Sequence, residues 1–122
     1  VVWMAAIFTL SSIPSLASPF DPWYDLMLRK LAHVFEYAVL TALLFWALRG
    51  HRAPGAGTLA IAALLASLYA FSDEWHQTFV PGREGSLRDV GIDTVGIVLA
   101  SFWLKSNRRL REDNSSWTRE TV

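Results

Sequence analysis

Apolar residues along this chain fall into four long runs separated by short polar punctuation. Residues 1–20, 37–48, 53–72 and 94–104 contain no Asp, Glu, Lys or Arg and are dominated by Leu, Ala, Ile, Val, Phe and Trp. A bilayer core of about 30 Å needs roughly 20 helical residues. The second and fourth runs reach that length only by taking in charged residues at one end. The pattern therefore predicts an all-α fold, an integral membrane bundle of four transmembrane helices over 1–16, 24–49, 57–79 and 89–105. The last three would carry ionisable groups at membrane depth. A soluble helical bundle is the competing reading.

Local signals set the boundaries. Pro14, Pro19 and Pro22 cluster where the first helix would lose backbone hydrogen bonds and stop. The stretches from Arg49 to Gly55 and from Pro81 to Ser86 have the Gly and Pro content of turns. One domain over 1–105 is expected, followed by a polar tail over 106–122 that is expected to be disordered. Lys and Arg in short loops favour the cytoplasmic side. Arg49 and Arg52 follow the second helix, and Lys105, Arg108, Arg109 and Arg111 follow the fourth, so both loops belong on one side. Both termini are then expected in the cytoplasm and residues 80–88 outside. A signal peptide cut after Ser15-Leu16-Ala17 competes for the N-terminal run, but it would lack a basic leading region.

Composition narrows the function classes. Only 18% of the 122 residues are charged, below the roughly 25% of an ordinary soluble domain. Eleven basic and eleven acidic residues cancel, which argues against a nucleic-acid partner. The absence of cysteine excludes disulfides, thiolate metal sites and cysteine nucleophiles.

The chemistry sits where ionisable residues meet the apolar runs. Lys30, His33 and Tyr37 share one face of the second helix, with Glu36 beside His33. The third helix ends in Asp73, Glu74, His76 and Gln77, and the fourth opens with Asp89, Asp93 and Gly96 on an i, i+4, i+7 stripe. The predicted topology brings these stripes to the same outer depth. A charged side chain in a bilayer costs on the order of 2.5–3.5 kcal/mol, so the groups should face one another around one cavity. Structural ion pairs, such as Lys30 with Glu74 or Arg83 with Asp89, would explain part of the set. Their number exceeds what helix register requires, so the cluster reads as a site. Within it Glu74, next to a charge-free run, should be more desolvated than Asp89, which opens a helix. Trp residues near helix ends suit a membrane interface. The Ala60, Ala62, Ala63, Ala66 and Ala70 series, with Gly91 and Gly96, suits close helix approach. His76 is expected at lipid headgroups and His51 in an exposed loop.

These residues resemble the VanZ-like family of small bacterial membrane proteins. The match runs through Lys30-x-x-His33-x-x-x-Tyr37, Asp73-Glu74-x-x-Gln77-x-Phe79-x-Pro81-Gly82-Arg83, Asp89, Asp93 and Gly96, with Ser11-Ser12-Ile13-Pro14 closing the first helix. The family usually has Asn where this chain has Asp93, so a second carboxylate lies near Asp89, where one of the two would stay protonated or pair with Arg83. The resemblance implies a four-helix protein of the bacterial cytoplasmic membrane and a link to teicoplanin resistance, and leaves the chemistry to the residues. Two classes follow. One is an enzyme acting on a membrane lipid or lipid-linked envelope precursor, with His33 and Glu74 as general acid and base and Asp89 orienting Arg83. Lys30 and Arg83 would hold an anionic group, and Tyr37, Gln77 and Asp93 would complete the substrate side. The other is a non-catalytic protein that captures an anionic headgroup or alters antibiotic access. No cofactor is expected. A metal would recruit His33, Glu36, Glu74, His76, Asp89 or Asp93, but no H-E-x-x-H spacing appears, so none is expected either.

Overall fold

The computed structural model describes residues 1–13, 22–49, 55–83 and 85–120, with side chains to residue 107. It is all-helical among these residues: α1 (Val2–Ser11), α2 (Pro22–Arg49), α3 (Ala56–Gln77) and α4 (Leu87–Glu120). The turn signals at Pro14, Pro19 and residues 50–54, with His51, lie outside the described residues. Two helices, over Trp23–Arg49 and Ala56–Gln77, are long and apolar enough to cross a membrane. α1 is ten residues, which is about 15 Å of helix at 1.5 Å per residue. The helix therefore ends earlier than the sequence pattern predicts. α4 departs in the other direction, continuing through residues 106–120 where a disordered tail is expected. No Gly or Pro follows Gly96, so no residue in that stretch interrupts a helical backbone.

Helix directions alternate. Tyr37 and Leu40 pack with Ala66 and Ala70, while Phe45 packs with Ala62, so α2 and α3 are antiparallel. α4 runs parallel to α2, with Lys30 meeting Asp89 and His33 meeting Asp93. α1 runs parallel to α3: the Tyr69 hydroxyl donates to the Met4 carbonyl at 2.7 Å and Ser11 meets Asp73. Small residues allow these contacts. Ala62, Ala66 and Ala70 are fully buried along one stripe of α3. A Cβ on Gly96 would sit 2.1 Å from the Val34 carbonyl oxygen, so only glycine lets α4 approach α2 this closely. Gly91, expected in the same role, faces open space instead.

The distribution of polarity is inverted relative to a water-soluble bundle. Asp73, Glu74, Gln77 and Asp93 are 3%, 4%, 5% and 0% exposed, whereas Leu31, Phe35, Leu64, Leu68 and Phe102 are all at least 59% exposed. Only 22% of each candidate span is buried inside the protein. Apolar surface on that scale needs an apolar surrounding, and buried carboxylates need hydrogen-bond donors or cations beside them.

Candidate functional site

The polar residues gather at one end of the helices, where α1 and α3 finish and α2 and α4 begin. The loop between α3 and α4 shapes this end. Val80-Pro81-Gly82-Arg83 forms a type II turn, with the Arg83 N–H donating to the Val80 carbonyl at 3.1 Å and Gly82 at φ 75°. The turn sends Arg83 back across α1. Its Nε donates to the Ile13 carbonyl at 3.1 Å, its Nη2 to the Leu10 carbonyl at 3.2 Å and its Nη1 to Gln77 Oε1 at 3.4 Å. Leu10 is among the last residues of α1, whose carbonyls have no partner within the helix, so Arg83 serves as a clamp on that terminus. Arg83 lies outside the helices, and partial burial, then Arg29, lowers its pKa against the raising influence of Asp73, Glu74 and Glu36. It stays a cation.

The loop then closes on Glu74. A Cβ on Gly85 would lie 2.1 Å from the Glu74 carbonyl oxygen, so glycine is what lets the chain pass. The Ser86 N–H donates to Glu74 Oε2 at 3.0 Å. Ser86 also starts α4: its hydroxyl accepts from the Asp89 N–H at 3.3 Å and donates to Asp89 Oδ2 at 3.0 Å, close to the reciprocal pattern of a capping box. Asp89 pairs in turn with Lys30 of α2. The expected partnership of Asp89 with Arg83 is thus replaced by one with Lys30, because α2 and α4 start side by side while Arg83 turns toward α1. Glu74 is 4% exposed against 27% for the Asp89 side chain, in the expected order.

Deeper in, His33 Nδ1 lies 3.0 Å from Asp93 Oδ1. Asp93 therefore pairs with His33, and neither it nor Asp89 takes Arg83. The other Asp93 oxygen, Oδ2, is buried with no hydrogen-bond partner, as is the Tyr37 hydroxyl. The Tyr37 ring sits 6.4 Å from that of His33 and 6.3 Å from that of Tyr69. Ligand atoms of His33, Glu74 and Asp93 all lie within 4.8 Å of one another, close enough to surround a metal ion. On the far side Ser11 Oγ donates to Asp73 Oδ1 at 2.6 Å and Gln77 Nε2 to Asp73 Oδ2 at 3.0 Å. Gln77 also reaches Glu74 Oε1 at 3.4 Å.

The residues singled out from sequence thus form one connected end of the bundle, in three parts: Lys30 with Asp89, His33 with Asp93 and Glu74 over Tyr37, and Gln77 with Arg83. His76 departs from expectation. It stacks on Phe8 of α1 at 4.3 Å, with Nδ1 buried and unpartnered, because α1 covers that face of α3. Asp73 belongs to the cluster as its place in the polar stripe of the third helix predicts, and Ser11 and Ser86 join it without having been singled out as site residues. Ser86-x-x-Asp89 is a readable capping signal. Ser11 is marked only by its place in Ser11-Ser12-Ile13-Pro14.

Comparison with known proteins agrees with this picture. The family model described as VanZ/LLP1 matches residues 1–107. The "Uncharacterized membrane protein YwnJ" of Bacillus subtilis (strain 168) is 38% identical over 90 residues, covering 72% of this chain. The aligned region is 57% of that relative's length. No solved structure matches the chain. A profile matching nearly the whole chain, with its motif residues drawn to one end of an inside-out helical assembly, makes this protein a member of the VanZ/LLP1 family.

Proposed function

We propose that the protein is a multi-pass protein of the bacterial cytoplasmic membrane that acts on an anionic cell-envelope lipid or lipid-linked precursor at its outer face. The observation that carries this reading is the polar interior inside an apolar exterior, with the Lys30–Asp89 pair part-exposed at its end. α2, α3 and α4 serve as spans, with α1 antiparallel to α2 along their polar half. The alternation of helix directions supports cytoplasmic termini, since Arg49 and Lys105 then lie on one side and the cluster on the other. His33, Glu74 and Asp93 form the reacting centre. Lys30, whose side chain is 26% exposed, faces an incoming phosphate with donors that Asp89 does not use. Asp89 fixes Lys30, and Tyr37 and Gln77 close the inner wall.

A non-catalytic reading, capture of an anionic headgroup, draws on a specific observation too. Arg83 is spent on the Leu10 and Ile13 carbonyls and Gln77, which leaves the part-exposed Lys30 to meet a headgroup and makes recognition depend on one residue. Lipid extracts of cells with the wild-type protein, without it, and with His33→Ala or Lys30→Ala separate the two. An enzyme gives an altered lipid headgroup that both variants lose. A binder gives unaltered lipids and a change in teicoplanin susceptibility that His33→Ala retains and Lys30→Ala loses. No lipid change and no susceptibility change in any strain would remove both readings.

A further inference from the structure

We propose that His33, Glu74 and Asp93 hold one divalent first-row cation of the Zn2+, Mn2+ or Fe2+ type. Three observations converge on it. The first is geometry. One ligand atom from each of α2, α3 and α4 lies within 4.8 Å of the other two. Small side-chain rotations bring such atoms to the roughly 3–3.5 Å spacing of neighbouring ligands on an ion with bonds of about 2.1 Å. The second is an orphaned group. Asp93 is 0% exposed, and its Oδ2 is buried with no hydrogen-bond partner. A buried carboxylate oxygen in that state has lost its water without compensation, and a cation supplies it.

The third is charge. Asp73, Glu74 and Asp93 are all buried, and no Lys or Arg among the described residues forms an ion pair with any of them. Asp73 is served by hydrogen bonds from Ser11 and Gln77, and Glu74 by the Ser86 N–H. Lys30 is committed to Asp89 and Arg83 to α1. Two buried carboxyl groups and one imidazole therefore meet in an apolar surrounding with no Lys or Arg paired to either carboxyl. One nitrogen and two carboxylate donors suit the borderline divalent ions better than Mg2+ or Ca2+, which favour all-oxygen sites, or Cu(I), which favours sulfur. Because the three ligands come from separate helices, no short sequence motif announces them. The ion site is defined by these residues alone, whichever lipid the protein takes. With the ion bound, His33 and Glu74 contribute as its ligands.

The test is metal binding by the full chain in detergent micelles, stripped with chelator and dialysed against Zn2+ or, separately, Mn2+. Metal content per chain is then measured against protein-free micelles. The expected result is one ion per wild-type chain, with affinity lowered at least about 10-fold in Asp93→Asn and in Glu74→Gln, by analogy with the loss of supporting groups around metal sites. Both substitutions preserve side-chain shape. A Co2+-loaded sample should show d–d absorption that His33→Ala changes. No stoichiometric ion in the wild type overturns the proposal, whatever the variants do. Retention of wild-type affinity by both carboxamide variants overturns it equally. Neither outcome depends on a lipid assay, so failure here leaves the lipid reading standing.

Discussion

Ser11 on α1 donates a 2.6 Å hydrogen bond to Asp73 on α3, joining residues 62 positions apart in a site where both are about 3% exposed. The bond does two things. It supplies a donor to a buried carboxylate that lacks a cation, and it holds the end of a short helix against its neighbour. Ser11→Ala removes the donor and leaves Asp73 with Gln77. The expected cost is about 1–3 kcal/mol, the penalty of stranding one acceptor, more if the group remains ionised. Thermal unfolding in detergent measures it. Asp73→Asn combined with Ser11→Ala should cost less than the two single changes added together.

A second prediction concerns the α2–α4 crossing. Gly96→Ala places a methyl 2.1 Å from the Val34 carbonyl oxygen and about 3.1 Å from the Ala38 amide nitrogen, both backbone atoms that cannot rotate away. The helices must separate, costing on the order of 1–3 kcal/mol by overpacking. They would carry His33 and Asp93 apart with them. Gly91→Ala, with nothing within 4 Å of its Cβ, is the control and should be neutral or slightly stabilising. Equal unfolding temperatures for the two variants would contradict so close a crossing.

Much of this end of the molecule was legible in the sequence because its signals are charges in apolar surroundings. Lys30, His33, Glu74, Asp89 and Asp93 stand out against the charge-free runs, and helical phase with alternating directions suffices to bring them to one end. Arg83 was equally visible, but its partners were not. Two are backbone carbonyls, Leu10 in α1 and Ile13 just after it, which have no side-chain signature. Ser11 hides because a serine in an apolar run looks like filler until Asp73 is beside it. The length of α4 escaped for a different reason: polarity predicts exposure, and exposure does not stop a helix in which no Gly or Pro follows Gly96.

Lys30 and Asp89 give a third prediction. Their side chains are 26% and 27% exposed, so solvent screens the pair and its direct contribution to stability should be at most about 1 kcal/mol. Lys30→Ala should leave the unfolding temperature nearly unchanged while removing the lipid-dependent phenotype. Exchanging the two charges, Lys30→Asp with Asp89→Lys, should keep the pair without recovering the phenotype, since the cation now starts from α4. Recovery by the exchange would mean that the pair matters only for helix register.

Topology is a fourth. With helix directions alternating and Arg49 and Lys105 gathered on one side, reporter fusions after Arg52 and after Arg111 should both read cytoplasmic. A fusion within residues 83–86 should read external. An external signal at Arg111 is incompatible with this arrangement of α2, α3 and α4.

Glu74→Gln is the most discriminating single change. The amide keeps the size of the carboxylate, and its oxygen can still accept the Ser86 N–H that Glu74 Oε2 receives at 3.0 Å. The loop over Gly85 therefore keeps its anchor, and folding and membrane yield should match the wild type. What disappears is the negative charge facing His33 and Asp93. If Glu74 moves a proton or holds an ion, either role needs that charge, and the lipid phenotype should fall to the level of cells lacking the protein. Ser86→Pro offers the complementary change, removing the N–H, and with it the hydroxyl that bonds Asp89, while leaving the Glu74 side chain a carboxyl group. Proline is tolerated where a helix begins but cannot donate, so this variant should shift Glu74 without neutralising it and give a partial loss. A wild-type phenotype in Glu74→Gln, at normal membrane abundance, would leave headgroup capture by Lys30 as the reading to pursue.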